Sequence, residues 1–122
     1  MRYALLCYND ESMTSSWSKE EDEAVMTCLR AVHGKYEKHF GPVARLMPTT
    51  AATTFRKSER VFTDGPYAET KEQLLGFHII DVENFEQALQ IVRELSDANP
   101  GGAYEIRPLM LFYPNGSAVK DG

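Results

Sequence analysis

Two stretches of this chain are apolar at nearly every position, and two others carry apolar residues at helical spacing. From Arg2 to Tyr8, Tyr3, Leu5 and Cys7 alternate with Ala4, Leu6 and Tyr8, so both faces of an extended segment are largely apolar. From Leu74 to Val82 the pattern repeats, with Leu75, Phe77 and Ile79 opposite Gly76, His78, Ile80 and Val82. A strand apolar on both faces belongs in the middle of a sheet. Gly76 inside such a strand points to a bulge or to close approach of another backbone.

Helical spacing begins after a polar connection over residues 9–16. Ser18-Lys19-Glu20-Glu21 has the form of a capping box, in which Ser18 accepts from the amide of residue 21 and Glu21 reaches back. Val25, Leu29, Val32, Tyr36 and Phe40 then form one stripe of 3.6-residue period, and Gly41-Pro42 is the expected stop. A second helix opens at Asn84, with Gln87 three residues on. Its stripe is Phe85, Ala88, Leu89, Val92 and Leu95, and Asn99-Pro100-Gly101-Gly102 closes it. Between the helices, Val43 to Met47 reads as a short strand. Ala51 to Lys57 and Arg60 to Thr63 read as a hairpin around Ser58-Glu59. Ala103 to Phe112 reads as a last strand, with Pro108 marking an edge or a bulge.

The order is βαββαβ with an extra β-hairpin, which predicts a ferredoxin-like α+β fold with both helices on one face of an antiparallel sheet. Two helices cover only one face, yet two strands are apolar on both. A second copy of the chain is the simplest cover for the other face, and two facing sheets make a dimeric α+β barrel.

Composition narrows the function classes. A chain of 122 residues, 43% hydrophobic and 25% charged, is the size of one domain with one core. Residues 1–113 are read as that domain and residues 114–122 as a flexible tail. A net charge of −5 without a Lys/Arg cluster argues against direct nucleic-acid contact. The sequence carries neither a membrane-length apolar run nor a signal-peptide pattern, so a cytoplasmic location is expected. Cys7 and Cys28 fall in no metal-ligand spacing and read as small buried hydrophobes.

Candidate chemistry centres on the stretch Asp64-Gly65-Pro66 through Phe77. Asp64, Glu69, Lys71 and Glu72 crowd a turn that runs straight into the second apolar strand, as a loop lining a cleft would, or a solvated loop. His33, on the flank of the first helical stripe, reads either as a packing residue or as a general base near neutral pH. Glu105 and Arg107 share a strand face, where Arg107 could hold a carboxylate or phosphate. Alternatively, the two are facing ions that satisfy each other across a dimer. A cation site from Asp64, Glu69 and Glu72 offers too few oxygen ligands, so neither metal nor cofactor is expected.

These residues also form a recognisable signature. Phe62-Thr63-Asp64-Gly65-Pro66-Tyr67-Ala68-Glu69-Thr70-Lys71-Glu72-Gln73-Leu74, with Gly76-Phe77 and Asp81-Val82, resembles the DGPF branch of the YCII-related proteins. Arg2-Tyr3-Ala4-Leu5-Leu6 with Tyr8, and Glu105-Ile106-Arg107-Pro108, fit the same family, so the resemblance spans residues 2–112. It implies a homodimeric α+β barrel and a histidine–aspartate pair in a cleft. Arg30-Ala31-Val32-His33 matches the family's R-x-x-H, which gives His33 the role of base, with Asp97 or Asp64 as its partner. Tyr8, Glu69, Lys71, Glu72, His78, Glu105 and Arg107 are then the expected ligand-facing set, for a small anionic metabolite. His78 stands where the branch more usually has an aromatic residue. The alternative that the resemblance implies is a non-catalytic module working with an extracytoplasmic-function sigma factor.

Overall fold

A computed structural model describes residues 1–115. The flexible tail expected over residues 114–122 therefore falls mostly outside the described residues. Strand β1 (Arg2–Asn9) leads through a one-turn helix α1 (Glu11–Thr14) to helix α2 (Lys19–Lys35) and strand β2 (Phe40–Arg45). The hairpin β3 (Thr53–Arg56) and β4 (Val61–Asp64) follows, then β5 (Gln73–Asp81), α3 (Phe85–Ala98) and β6 (Ala103–Pro108). Four strands form an antiparallel sheet in the order β2-β5-β1-β6, and β3-β4 forms a separate two-stranded sheet. The fold is mixed α+β with an antiparallel sheet and three helices, consistent with a ferredoxin-like arrangement.

The two strands apolar on both faces are the two central ones. Tyr3, Leu5 and Cys7 of β1 lie opposite Ile80, His78 and Gly76 of β5, and all six are buried on the helix side. Ala4, Leu6, Phe77 and Ile79 point to the other face, where they are only half-buried. The core is lopsided. Leu5, Ile80, Ile91 and Leu95 are wholly buried where α3 crosses the sheet, whereas α2 has no buried residue along its 17 positions.

Local signals act where they were read. Ser18 accepts from the Glu21 amide at 3.0 Å and Glu21 answers to the Ser18 amide at 3.4 Å, completing the capping box. Asn84 caps α3 by accepting from the Gln87 amide at 2.9 Å. Gly65 adopts φ +97°, a left-handed conformation, and its amide donates to the Ala52 carbonyl at 2.8 Å.

Three expectations require correction. Helix α2 stops at Lys35, not at Phe40; residues 36–39 form a turn and Phe40 starts β2 opposite Ile80. Gly34 weakens the last helical turn, and pairing with β5 offers Phe40 more than another helical turn would. Gly41-Pro42 consequently lies inside β2 at a register shift, tolerated because β2 is an edge strand. The polar connection over residues 9–16 holds α1, whose Ser12 amide is capped by the Asp10 carboxylate at 2.9 Å. Cys28 is exposed, while Cys7 is buried as read.

The close approach anticipated at Gly76 is the tightest constraint in the sheet. A Cβ placed there would stand 2.3 Å from the Ala44 carbonyl oxygen, and β1 shifts register between Cys7 and Tyr8, beside it. Gly76→Ala must push β2 off β5. It is expected to lower unfolding free energy by about 1–3 kcal/mol, the usual range for an overpacked core. Urea unfolding followed by far-UV circular dichroism measures this, and an unchanged midpoint contradicts the packing described.

Candidate functional site

Small residues under α2 leave room that α3 does not. Below α2 the sheet offers Cys7 and Gly76, and above them α2 presents Val25, Met26, Leu29 and His33. The result is a cavity of about 870 Å³ between α2 and the sheet, with Trp17 and Met47 also in its lining. Its walls are mostly apolar, and its size falls within the range of small-molecule sites.

At its inner end the polar groups are two imidazoles. His33 stacks on Phe40 with ring centroids 4.2 Å apart, and His78 meets His33 edge-on at 5.1 Å. His78 is only 8% exposed. His33 Nε2 and His78 Nδ1 are both buried, and neither has a hydrogen-bonding partner among the described residues. Burial, and then the neighbouring His33, push the His78 imidazole down to about 4; burial alone lowers His33. Both rings are therefore neutral at physiological pH.

Beside them Asn99 Nδ2 donates to the Tyr104 hydroxyl at 3.2 Å and approaches Cys7 Sγ at 3.4 Å. Burial pushes the Tyr104 phenol and the Cys7 thiol up, so this wall is uncharged as well. Charge is confined to the remainder of the lining. Arg45 donates to both carboxylate oxygens of Asp22 at 2.8 and 3.3 Å, which lowers the Asp22 carboxyl. The Glu11 carboxylate accepts from the Thr49 amide at 2.8 Å and its hydroxyl at 2.7 Å. Arg30 also lines the cavity and makes no hydrogen bond or ion pair among the described residues.

The residues singled out from sequence are distributed over three regions. His33 and His78 meet in the cavity. Tyr8 and Glu105 are half-buried on the opposite, open face of the sheet, with Arg107 exposed beside them. Glu105 and Arg107 form an ion pair with each other along one strand. Asp64, at the end of β4, is exposed, as are Glu69, Lys71 and Glu72 in the loop before β5 and Asp97 near the end of α3. Neither aspartate lines the cavity or bonds to His33, whose nearest polar ring is another histidine. No three His, Cys, Asp or Glu side chains among the described residues are placed to hold a metal ion.

Sequence reasoning passed over Asn99, Tyr104, Asp22 and Arg45. Asn99 read as a helix stop and Tyr104 as one more strand residue. The available signal was the run of small or polar positions, Cys7, Gly76 and His78, on the core side of two otherwise bulky strands.

Residues 1–113 match the model of the YCII-related domain. The uncharacterized protein R00369 of Rhizobium meliloti (strain 1021) is 60% identical over 119 residues, covering 93% of this chain and 96% of that protein. No helix among the described residues is long and apolar enough to cross a membrane.

The depressed imidazoles make stability depend on pH. A histidine at about 4 in the fold and near 6.5 when unfolded binds its proton only on unfolding between those values. Stability is therefore full above pH 6.5 and falls as pH drops towards 4, by about 3 kcal/mol for His78 at the low end. Urea midpoints at stepped pH measure the slope. His78→Phe is expected to remove most of it, and an unchanged slope in that variant contradicts the burial described.

Proposed function

This chain belongs to the YCII-related family, and on that premise we propose that it is a small-molecule-binding protein that moves a proton with His33. Support comes from one observation above the rest: two imidazoles line an apolar cavity large enough for a ligand, and each carries a buried nitrogen without a partner among the described residues. The two rings have different environments, which assigns them different roles. His33, the shallower and less shifted, accepts a proton from carbon or oxygen. His78 is too weak a base to take one; as a neutral imidazole it hydrogen-bonds and orients an oxygen of the ligand. Asp64 and Asp97 have no part in this reading.

The assembly belongs to the same proposal. The chain is a member of the DGPF branch and works in the cytoplasm as a homodimeric α+β barrel, its open sheet face covered by a second copy. Half-buried Ala4, Leu6, Phe77 and Ile79, with nothing from the chain's own helices over them, support that assembly. A second reading is a module serving an extracytoplasmic-function sigma factor. The hairpin outside the main sheet supports it, since Phe62 is 73% exposed there beside Phe55 and Val61.

Proton transfer is testable without a known substrate. In D2O, the protein is expected to speed hydrogen exchange at the acidic C–H of phenylacetone, followed by NMR. His33→Ala should lose about 10²- to 10⁴-fold of that rate while still binding phenylacetone, more weakly, through the apolar walls and His78. Loss of neither binding nor rate in the variant excludes His33, and absence of binding to the wild type excludes the cavity.

Sedimentation equilibrium tests the assembly. A dimer is expected for the wild type, and Phe77→Glu should convert it to folded monomer. A wild-type monomer at micromolar concentration overturns the barrel.

A further inference from the structure

Among the described residues that line the cavity, one charged group has no hydrogen bond or ion pair within the protein, the exposed Arg30. Arg45 is taken by Asp22 in a two-pronged pair, and Glu11 by the backbone and hydroxyl of Thr49. Arg30 has no such partner among the described residues. It stands three residues before His33 on α2, and residues three apart on a helix are surface neighbours, about 5–6 Å between Cβ atoms. A cation that lines a cavity near the half-buried His33, in the same lining as the nine-tenths-buried His78, constrains what can enter.

We propose that the ligand is a carboxylic acid with an apolar body and a hydroxyl or carbonyl close to the acid group. The carboxylate meets the Arg30 guanidinium, whose planar fork matches two carboxylate oxygens. The neighbouring oxygen meets the imidazoles, His78 Nδ1 and His33 Nε2, which have no hydrogen-bonding partner among the described residues. The apolar body lies against Leu29, Met26 and the small floor at Gly76. This deepens the preceding reading, on which it rests. The chain's net charge of −5 repels anions at long range, so Arg30 must act at contact distance.

Arg30 is distinct from the arginine that the sequence favoured. Arg107 lies on the opposite face of the sheet and is occupied by Glu105. The anionic group is therefore bound on the helix side, next to the imidazoles.

Matched probes separate this from the proposal it builds on. Phenylpyruvate, its methyl ester and phenylacetone share a ring and a ketone, and only the first carries a negative charge. Calorimetry at pH 7.5 and low salt is expected to show phenylpyruvate binding at least tenfold tighter than either neutral probe. Arg30→Gln should erase that preference while leaving phenylacetone affinity unchanged, and Arg107→Gln should leave the preference intact. Equal affinities for acid and ester, or a preference that survives Arg30→Gln, overturn the carboxylate assignment and leave the cavity standing. A preference lost in Arg107→Gln and kept in Arg30→Gln moves the anion to the open face and likewise overturns it. Failure of all three probes, in a protein whose circular dichroism shows it folded, overturns the acid class together with the cavity.

Discussion

The contact between Gly76 and the Ala44 carbonyl sets the geometry of half the molecule. With no side chain at residue 76, β2 can lie close against β5, and β1 takes a register shift beside the same point. Everything under α2 is then built on a floor of small residues, while everything under α3 rests on Leu5 and Ile80. A helix above a small-residue floor either sinks onto it or leaves space. Here α2 has no buried residue, and the space remains.

That division separates stability from chemistry. Most of the fully buried apolar volume lies at the α3 end, where Ala88, Ile91 and Leu95 close on the sheet. At the α2 end, burial is directed at polar rings instead, and its chief effect is on protonation. His78 is held neutral by desolvation, as are Cys7 and Tyr104 by the same cause with the sign reversed for acids. On the reading proposed above, a wall of neutral titratable groups with Arg30 nearby suits oxygen atoms at one end and an anion at the other.

Much of the fold was legible because its signals are local. The capping box at Ser18, the cap at Asn84 and the two-sided apolar pattern of β1 and β5 each depend on a few adjacent residues. Gly76 was legible for the same reason. The end of α2 was not, because Phe40 satisfies the helical stripe in sequence and the sheet in space, and the competition is decided by a strand some 40 residues later. The site was the least legible part. Charge density drew attention to the loop holding Asp64, Glu69, Lys71 and Glu72, yet charged groups in a loop are readily solvated, and these are exposed. The cavity instead depends on residue volumes across three strands, and its polar atoms come from positions that read as ordinary core. His33 and His78 are the two cavity residues that the sequence singled out.

Helix α2 is fastened near its two ends. Its first turns are tied to β2 through Asp22 and Arg45, and its last turn to α3 through Lys35 and Tyr36, both bonded to Glu94. Between those fastenings the helix spans the hollow like a beam on two piers. Substitutions in the middle of the span reshape the hollow without unseating the frame, so its volume and polarity can change while the architecture stays.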